Sequence, residues 1–274
     1  MDGRLFIESR QGTIARYTEP TDMSTGITSL SPSQPALLRE ARSVFTRALA
    51  LAAISVPALG VAIGTIPALT GLALFAGMLF ALERGLAAHH PYPRLGTANR
   101  ITLLRAAIAC LIAARAIEPA PLGAPERWLL AAIAVAALML DGADGWAARR
   151  QGLASAFGAR FDMEVDAFAI LVLAITVAKA QAVPYWVLAI GAMRYFYLAA
   201  ALVFPLLRRP LPPRPIADRR RKTIAVVQSV GLTIALLPAT LAGWAAAVCA
   251  TALGLLAYSF AADIVILRST RPHR

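Results

Sequence analysis

Long apolar runs dominate this sequence and limit what it can fold into. Hydrophobic residues make up 58% of its 274 residues and charged residues only 15%, against roughly 45–50% and about 25% in soluble domains. The runs fall at about 48–64, 67–83, 101–117, 128–143, 163–180, 184–206, 223–240 and 243–266. Backbone groups in lipid must hydrogen-bond within their own segment, so each run predicts a helix. The sequence therefore predicts an all-α polytopic membrane protein with eight spans and excludes a soluble enzyme, a disordered chain and a disulfide scaffold.

Basic residues concentrate in the loops on one side of the predicted spans. The chain has 27 Lys and Arg against 15 Asp and Glu, a net charge of +12. Clusters lie within 84–100, 149–160 and 208–222 and in the C-terminal tail, whereas the opposite ends hold only Arg115, Arg127 and Lys179. By the positive-inside rule, both termini and the basic loops are expected in the cytoplasm, at a bacterial inner membrane. The charge thus indicates an anionic membrane surface and not nucleic acid.

The distribution of polar sequence predicts three parts. Residues 1–42 are expected to form a polar cytoplasmic segment, with a surface helix over about 34–49 that leads into the first span. Residues 43–85 predict an extra hairpin, spanning or re-entrant, with a tight turn at 65–67. Residues 86–274 hold the other six spans. Cys110 and Cys249 lie inside apolar runs and are interpreted as packing residues.

Five of the fifteen acidic residues lie within a short stretch, from the end of one span to the start of the next. Asp141 and Asp144 are three apart and Asp162 and Asp166 four apart, so each pair shares a helix face. We expect these four carboxylates to converge, and their mutual repulsion calls for a cation. Oxygen ligands suit Mg²⁺, Mn²⁺ or Ca²⁺ rather than zinc. Glu164 is expected to point away.

The residues around these acids form a spaced motif. The pattern D-x2-D-G-x2-A-R-x8-G-x3-D-x3-D is filled by Asp141, Asp144, Gly145, Ala148, Arg149, Gly158, Asp162 and Asp166. It resembles the signature of the CDP-alcohol phosphotransferase family at every fixed position, a chance agreement on the order of one in ten million. Asn99, Thr102 and Arg105 resemble the N-x-[IL]-T-x2-R start of that family's first core span. The resemblance covers a six-helix core from about 101 to 266. The alternative interpretation of the acidic motif is two solvated helix ends joined by a turn.

The resemblance implies an enzyme of phospholipid biosynthesis that moves the phosphatidyl group of CDP-diacylglycerol to an alcohol and releases CMP. It implies two ions of Mg²⁺ or Mn²⁺, held by the four Asp residues, with Asp166 also taking the proton of the acceptor hydroxyl. It implies a homodimer. It places six further residues near the donor: Thr102, Arg105, Gly145, Ala148, Arg149 and Gly158. For Arg149, an anchor at the membrane surface is the alternative.

The acceptor is predicted from basic residues outside the motif. Residues 221–228 read R-K-T-x4-Q, which looks like the K-T-x4-Q of phosphatidylglycerophosphate synthases. Lys222 and Arg194 are therefore expected to bind an acceptor phosphate, and glycerol 3-phosphate is preferred over inositol phosphate or a neutral alcohol. Ala167, directly after the fourth Asp, fits none of these subfamilies. For Arg194, the alternative is a structural ion pair with an acid such as Asp263. For the basic stretch, the alternative is binding to anionic lipid headgroups.

A non-enzymatic membrane cation transporter is the rival functional class, because acidic helix ends suit cation passage. A transporter needs its carboxylates near the bilayer midplane, however, and the acids here lie at one interface. It also gives no role to the Gly, Ala and Arg residues of the motif. The sequence therefore favours the enzyme.

Because the hairpin at 48–83 lies outside the motif-bearing spans, a chain that begins near residue 86 is expected to retain catalysis.

Overall fold

The structure, a computed structural model, describes residues 34–89, 92, 94–151, 155–208, 215–238 and 244–269, and the side chains of 143–151 lie outside that description. Within it, two short 3₁₀ helices and eight α-helices occur, without a strand. The α-helices are α1 Gln34–Ile63, α2 Thr65–His89, α3 Thr97–Ile117, α4 Ala124–Gln151, α5 Ala156–Lys179, α6 Leu188–Val203, α7 Pro215–Leu236 and α8 Ala245–Ser269. The predicted all-α class is confirmed.

Three segments of the described chain are long and apolar enough to cross a membrane. They are Thr65–Leu86 in α2, Tyr185–Val203 around α6 and Ala245–Ser269, which is α8, with mean hydropathies of 1.9, 1.6 and 1.9. A length of about 20 residues spans the roughly 30 Å hydrocarbon layer. These helices fit an integral membrane protein, and the full number of eight spans stays a prediction.

The main core lies where α5 packs against α3, α6 and α7, and α7 against α4 and α8. Leu173 and Val177 of α5, Leu232 and Leu236 of α7 and Cys249 of α8 are all buried in one cluster. Burying a large aliphatic side chain stabilises the fold by about 1.5–3 kcal/mol. This cluster therefore fixes α4 and α5, which carry the acidic residues; on α5, Asp166 lies about two turns before Leu173, toward the N-terminus of the helix.

The N-terminal hairpin packs against the same helices from the other side. Only Gly64 separates α1 from α2. Both helices contribute buried side chains to a second core cluster with α3 and α5, which includes Leu37, Phe45, Phe75, Leu86, Leu103, Phe161 and Val165. Ion pairs add to the contact: Arg42 bonds Glu83 within the hairpin, and Glu40 of α1 bonds Arg100 of α3, both at 2.6 Å. The hairpin is thus part of the scaffold around α5.

The first helix is continuous through the predicted surface segment and the start of the first predicted span, and the predicted division into three parts stays a prediction. Helix α1 runs without a break from Gln34 to Ile63, where the sequence predicted a surface helix over 34–49 followed by a span. The expected boundary near residue 42 consequently falls inside a helix. The reason is packing: Leu37 and Ala41 are 1% and 0% exposed, so the first turns of α1 already lie in the core.

The bundle end away from the acidic residues has its own charged cluster. Arg115, ten residues beyond Arg105 on α3, is buried and bonds Glu126 of α4 at 3.0 Å. Its guanidinium also donates to the carbonyl groups of Ala120 and Pro121 at 3.3 and 3.0 Å. These bonds tie the α3–α4 connection to the bundle, roughly 15 Å along α3 from Arg105.

Candidate active site

Three of the predicted acids converge on one arginine. Helix α4 supplies Asp141, and α5 supplies Asp162 and Asp166 one turn apart. One carboxylate oxygen from each lies within 4.8 Å of the other two. Arg105 of α3 lies against all three: its Nη2 is 3.1 Å from Asp141 Oδ1, its Nη1 is 2.6 Å from Asp162 Oδ1, and Nη2 also donates to Asp166 Oδ1.

This cluster is partly buried, which strengthens its electrostatics. The Arg105 side chain is 7% exposed, and that of Asp141 is 14% exposed. The side chains of Asp162 and Asp166 are each 32% exposed, so they open toward a cavity. Coulomb interactions are several times stronger in such surroundings than in water. The all-oxygen donor set fits a divalent cation such as Mg²⁺ or Mn²⁺.

The start of α5 is held in register against α3. Ser155 is the N-cap of α5, and its hydroxyl accepts a hydrogen bond from the Gly158 backbone N–H at 3.0 Å. This is the usual way to satisfy a free N–H in a first helical turn. A Cβ atom on Gly158 would lie 2.9 Å from Asn99 Oδ1, so only glycine permits this close approach. Asn99 is itself fixed, since its side-chain amide donates to the Leu95 carbonyl at 2.6 Å.

The other motif residues divide into two groups. Thr102 is buried at 2% exposure, and its hydroxyl donates to the Ala98 carbonyl of its own helix at 3.1 Å. It is therefore part of the buried scaffold of α3, about one turn before Arg105. The remaining predicted residues belong to the last turns of α4, and their side chains lie outside the described residues: Asp144, Gly145, Ala148 and Arg149.

A cavity of about 570 Å³ opens from the cluster. Its polar wall on one side consists of Arg105 and the three carboxylates. Residues of α6, α7 and α8 also line the cavity, among them Arg194, Arg221, Lys222 and Asp263. The lining continues about two turns deeper through apolar side chains such as Ile112 and Leu173. One end of the cavity thus suits phosphate groups and the other suits hydrocarbon.

Arg194 lines the cavity, but its ion-pair partner differs from the predicted alternative. Its Nη2 donates to Glu164 Oε1 of α5 at 2.6 Å, and its Nη1 lies 3.2 Å from Met163 Sδ. Asp263 instead accepts from Arg220 and from Arg221 Nε, the latter at 3.0 Å. Glu164 thus points away from the acidic cluster and does not line this cavity, and α6, which packs against α5, brings Arg194 to it.

The basic stretch at the start of α7 is already partly neutralised. Arg220 and Arg221 both pair with the buried Asp263, and Arg221 also pairs with Asp218 at 2.8 Å. Lys222 lines the cavity and forms no ion pair with any residue that the structure describes. The buried Gln228 lines the same cavity two turns deeper. Lys222 thus lines the cavity without a described ion-pair partner, and its charge acts on Asp162.

Sequence reasoning missed Glu164 and the role of Asp263 at the cavity. An arginine inside an apolar run, such as Arg194, needs an acidic partner or water. This requirement does not distinguish Glu164 from Asp263 as the partner. The choice between them depends on how α5, α6 and α8 cross.

The part of the chain that carries this site is similar to a known protein family. A family model described as CDP-alcohol phosphatidyltransferase matches residues 95–256. The matched segment is more than half of the chain, runs from just before α3 into α8, and contains Arg105, the acidic cluster, Arg194 and Lys222. Helices α1 and α2 lie outside it. Comparisons with curated proteins and with solved structures gave no match.

Proposed function

Since the chain belongs to the CDP-alcohol phosphatidyltransferase family, we propose that it transfers the phosphatidyl group of CDP-diacylglycerol to glycerol 3-phosphate and releases CMP. The family itself transfers phosphatidyl groups from CDP-linked donors in phospholipid synthesis, so the proposal concerns the donor, the acceptor and the residues. The observation that carries it is one cavity lined both by the three carboxylates and by the cations Lys222 and Arg194.

Donor binding follows from the two ends of the cavity. The apolar lining around Ile112 and Leu173 accepts acyl chains, while the diphosphate lies beside Arg105 and the carboxylates. Asp141, Asp144, Asp162 and Asp166 would hold two ions of Mg²⁺ or Mn²⁺, which would supply positive charge to the donor diphosphate. Gly145, Ala148, Gly158 and Arg149 complete the donor site by family resemblance. Thr102 supports it from within α3.

The chain's own groups then organise the transfer. Arg194 and Lys222 bind the acceptor phosphate through charge-assisted hydrogen bonds, which places the acceptor hydroxyl near the acidic wall. The Nε of Arg194 is buried and has no hydrogen-bond partner among the described residues, so the guanidinium has a donor left for a ligand. Glu164 holds the same guanidinium in place through Nη2.

The bond changes balance with one proton transfer. The acceptor hydroxyl oxygen forms a bond to the phosphatidyl phosphorus, and the bond from that phosphorus to the CMP oxygen breaks. Asp166 takes the hydroxyl proton, since an alcohol is a poor nucleophile at neutral pH without a base. CMP leaves with the electron pair of the broken bond. The products are one phosphatidylglycerophosphate and one CMP.

The proposed setting is the cytoplasmic face of a bacterial inner membrane. Arg84, Arg94, Arg100 and the basic start of α7 lie at the bundle end that carries the acidic cluster, which supports this orientation under the positive-inside rule. Soluble acceptor and CMP would exchange there with the cytosol. A homodimer is proposed from the family resemblance.

An acceptor panel tests the proposal. The purified full chain in mixed micelles is given CDP-diacylglycerol, Mg²⁺ and, in turn, glycerol 3-phosphate, inositol 1-phosphate, inositol, serine or glycerol, and released CMP is measured. We expect the highest kcat/KM with glycerol 3-phosphate. Equal turnover of an uncharged alcohol would contradict the acceptor assignment. Metal binding without CMP release from any acceptor would favour the transporter. Glu126→Gln, at the far end of the bundle, is the matched control for variants of the site acids.

A further inference from the structure

Arg105 is bonded to every clustered carboxylate that the structure describes. Both of its Nη atoms are engaged, Nη1 with Asp162 and Nη2 with Asp141 and Asp166. Each bond ends on the Oδ1 atom of its carboxylate. The side chain is 7% exposed, so solvent screens these ion pairs only weakly. A buried cation therefore already occupies the centre of the cluster.

The oxygens that bond Arg105 are on the same carboxylates that are proposed to hold the metal. Three carboxylates and one guanidinium leave a net charge of −2 in the described cluster. Without the guanidinium, three like charges would face one another within 4.8 Å, which disfavours their ionised forms. The guanidinium thus stabilises the cluster, and a divalent cation must compete with it for carboxylate oxygen.

From this geometry we infer that Arg105 is a built-in counter-ion that competes with divalent metal for Asp141, Asp162 and Asp166. When a metal ion binds, the guanidinium gives up carboxylate contacts and turns its fork to the donor diphosphate in the adjoining cavity. Its side chain lines that cavity, so no movement of α3 is needed. The inference rests on the proposed metal site. It predicts that the affinity of this site for a divalent metal rises when Arg105 is removed.

The direction in which metal affinity changes when Arg105 is removed distinguishes a competing cation from a positioning residue. A residue that only orients the carboxylates for the metal would weaken metal binding when removed. A competing cation has the opposite effect, because its loss makes the site more negative and frees the ligand oxygens. The Arg105→Lys variant separates charge from shape, since Lys keeps the charge and loses the forked geometry.

Mn²⁺ binding to the purified full chain, measured from the free-ion signal in electron paramagnetic resonance, tests the inference without turnover. We expect Arg105→Gln to bind Mn²⁺ at least tenfold more tightly than the unaltered chain, a change of about 1.4 kcal/mol. Arg105→Lys should stay within about threefold of the unaltered chain. The matched control is Arg115→Gln, an equally buried arginine on the same helix, which should leave Mn²⁺ affinity unchanged.

Melting temperatures give a second readout if Arg105→Gln is poorly folded. In EDTA the variant should melt below the unaltered chain, and Mn²⁺ should raise its melting temperature by more than it raises that of the unaltered chain. Unchanged or weaker Mn²⁺ binding by Arg105→Gln, with normal binding by the unaltered chain, would overturn the inference alone. No Mn²⁺ binding by either protein would overturn the proposed metal site and the inference together.

Discussion

Glu164 of α5 forms a 2.6 Å ion pair with Arg194 of α6, which lines the cavity. The pair links the helix that carries Asp162 and Asp166 to the wall proposed for the acceptor. Glu164 lies only two residues from each of these acids but is not on their helix face. The acidic helix thus supplies both the proposed metal ligands and the partner that holds an acceptor-binding arginine.

Arg194→Gln should therefore raise the KM for glycerol 3-phosphate by roughly 10- to 100-fold, because hydrogen bonds to charged groups contribute about 1.5–3 kcal/mol. The KM for CDP-diacylglycerol should stay within about twofold, since the donor diphosphate is proposed to lie beside Arg105 and not beside Arg194. Glu164→Gln should give a smaller rise in the acceptor KM, and Arg194→Lys should restore part of the loss. Arg42→Gln, which breaks an ion pair in the hairpin, is the control. Equal increases in both KM values would contradict the assignment.

The four Asp residues should separate into two classes. Ala at Asp141, Asp144 or Asp162 should abolish metal-dependent binding of the CDP donor. Asp166→Asn should lower kcat by about 10²–10⁴-fold, the usual contribution of a general base, and keep most of the donor affinity. Steady-state kinetics together with equilibrium donor binding make the distinction. If all four variants lost donor binding equally, the base would not be separable from the ligands.

Gly158→Ala should impair the site without changing its charge. The new Cβ would lie 2.9 Å from Asn99 Oδ1 and 3.2 Å from Ser155 Oγ, so the start of α5 must shift against α3. Such a shift moves Asp162 relative to Arg105, and we expect kcat to fall about tenfold. Gly254→Ala, which meets no atom within 4 Å, is the control. Wild-type kcat in the Gly158→Ala protein would show that this contact is not needed.

The hairpin should matter for stability, contrary to the expectation from sequence that a chain starting near residue 86 keeps its catalysis. Gly71→Ala would place a Cβ 2.9 Å from that of Ala114, which forces α2 away from α3. We expect a cost of about 1–3 kcal/mol from such overpacking and a lower melting temperature in detergent. Gly77→Ala, with no atom within 4 Å, gains the same helix propensity without the clash. Equal melting temperatures for the two variants would contradict the close packing.

The same packing predicts that the chain from residue 86 onward loses stability and turnover together. Removal of the hairpin uncovers Leu103 of α3 and Phe161 and Val165 of α5, which pack against it. A folded, inserted truncation with normal turnover would restore the original expectation.

Some of this architecture could be read from residue spacing alone. The four-residue interval between Asp162 and Asp166 places both on one face, and the short connection from α4 brings Asp141 near them. The apolar runs predicted the helices because lipid leaves the backbone no other partner. Spacing within a helix is local information, which sequence carries well.

Contacts across helices were harder to predict. Arg105 and Asp162 are 57 positions apart, and periodicity cannot say that one guanidinium lies among three carboxylates. Likewise, nothing local distinguishes Glu164 from Asp263 as the partner of Arg194. The packing of the hairpin against α3 depends on close approach at Gly71, which is visible only once the helices are assembled.

Coupled measurement of CMP and lipid product tests the central claim most directly. The full chain is incubated with CDP-diacylglycerol and glycerol 3-phosphate in Mg²⁺, in excess EDTA, and in EDTA followed by excess Mg²⁺ or Mn²⁺. The account predicts one CMP per phosphatidylglycerophosphate, loss of both in EDTA, recovery of both with either metal, and neither product from Asp166→Asn above about 1% of the normal rate. Full activity in EDTA, or CMP released without a matching lipid product, would contradict it.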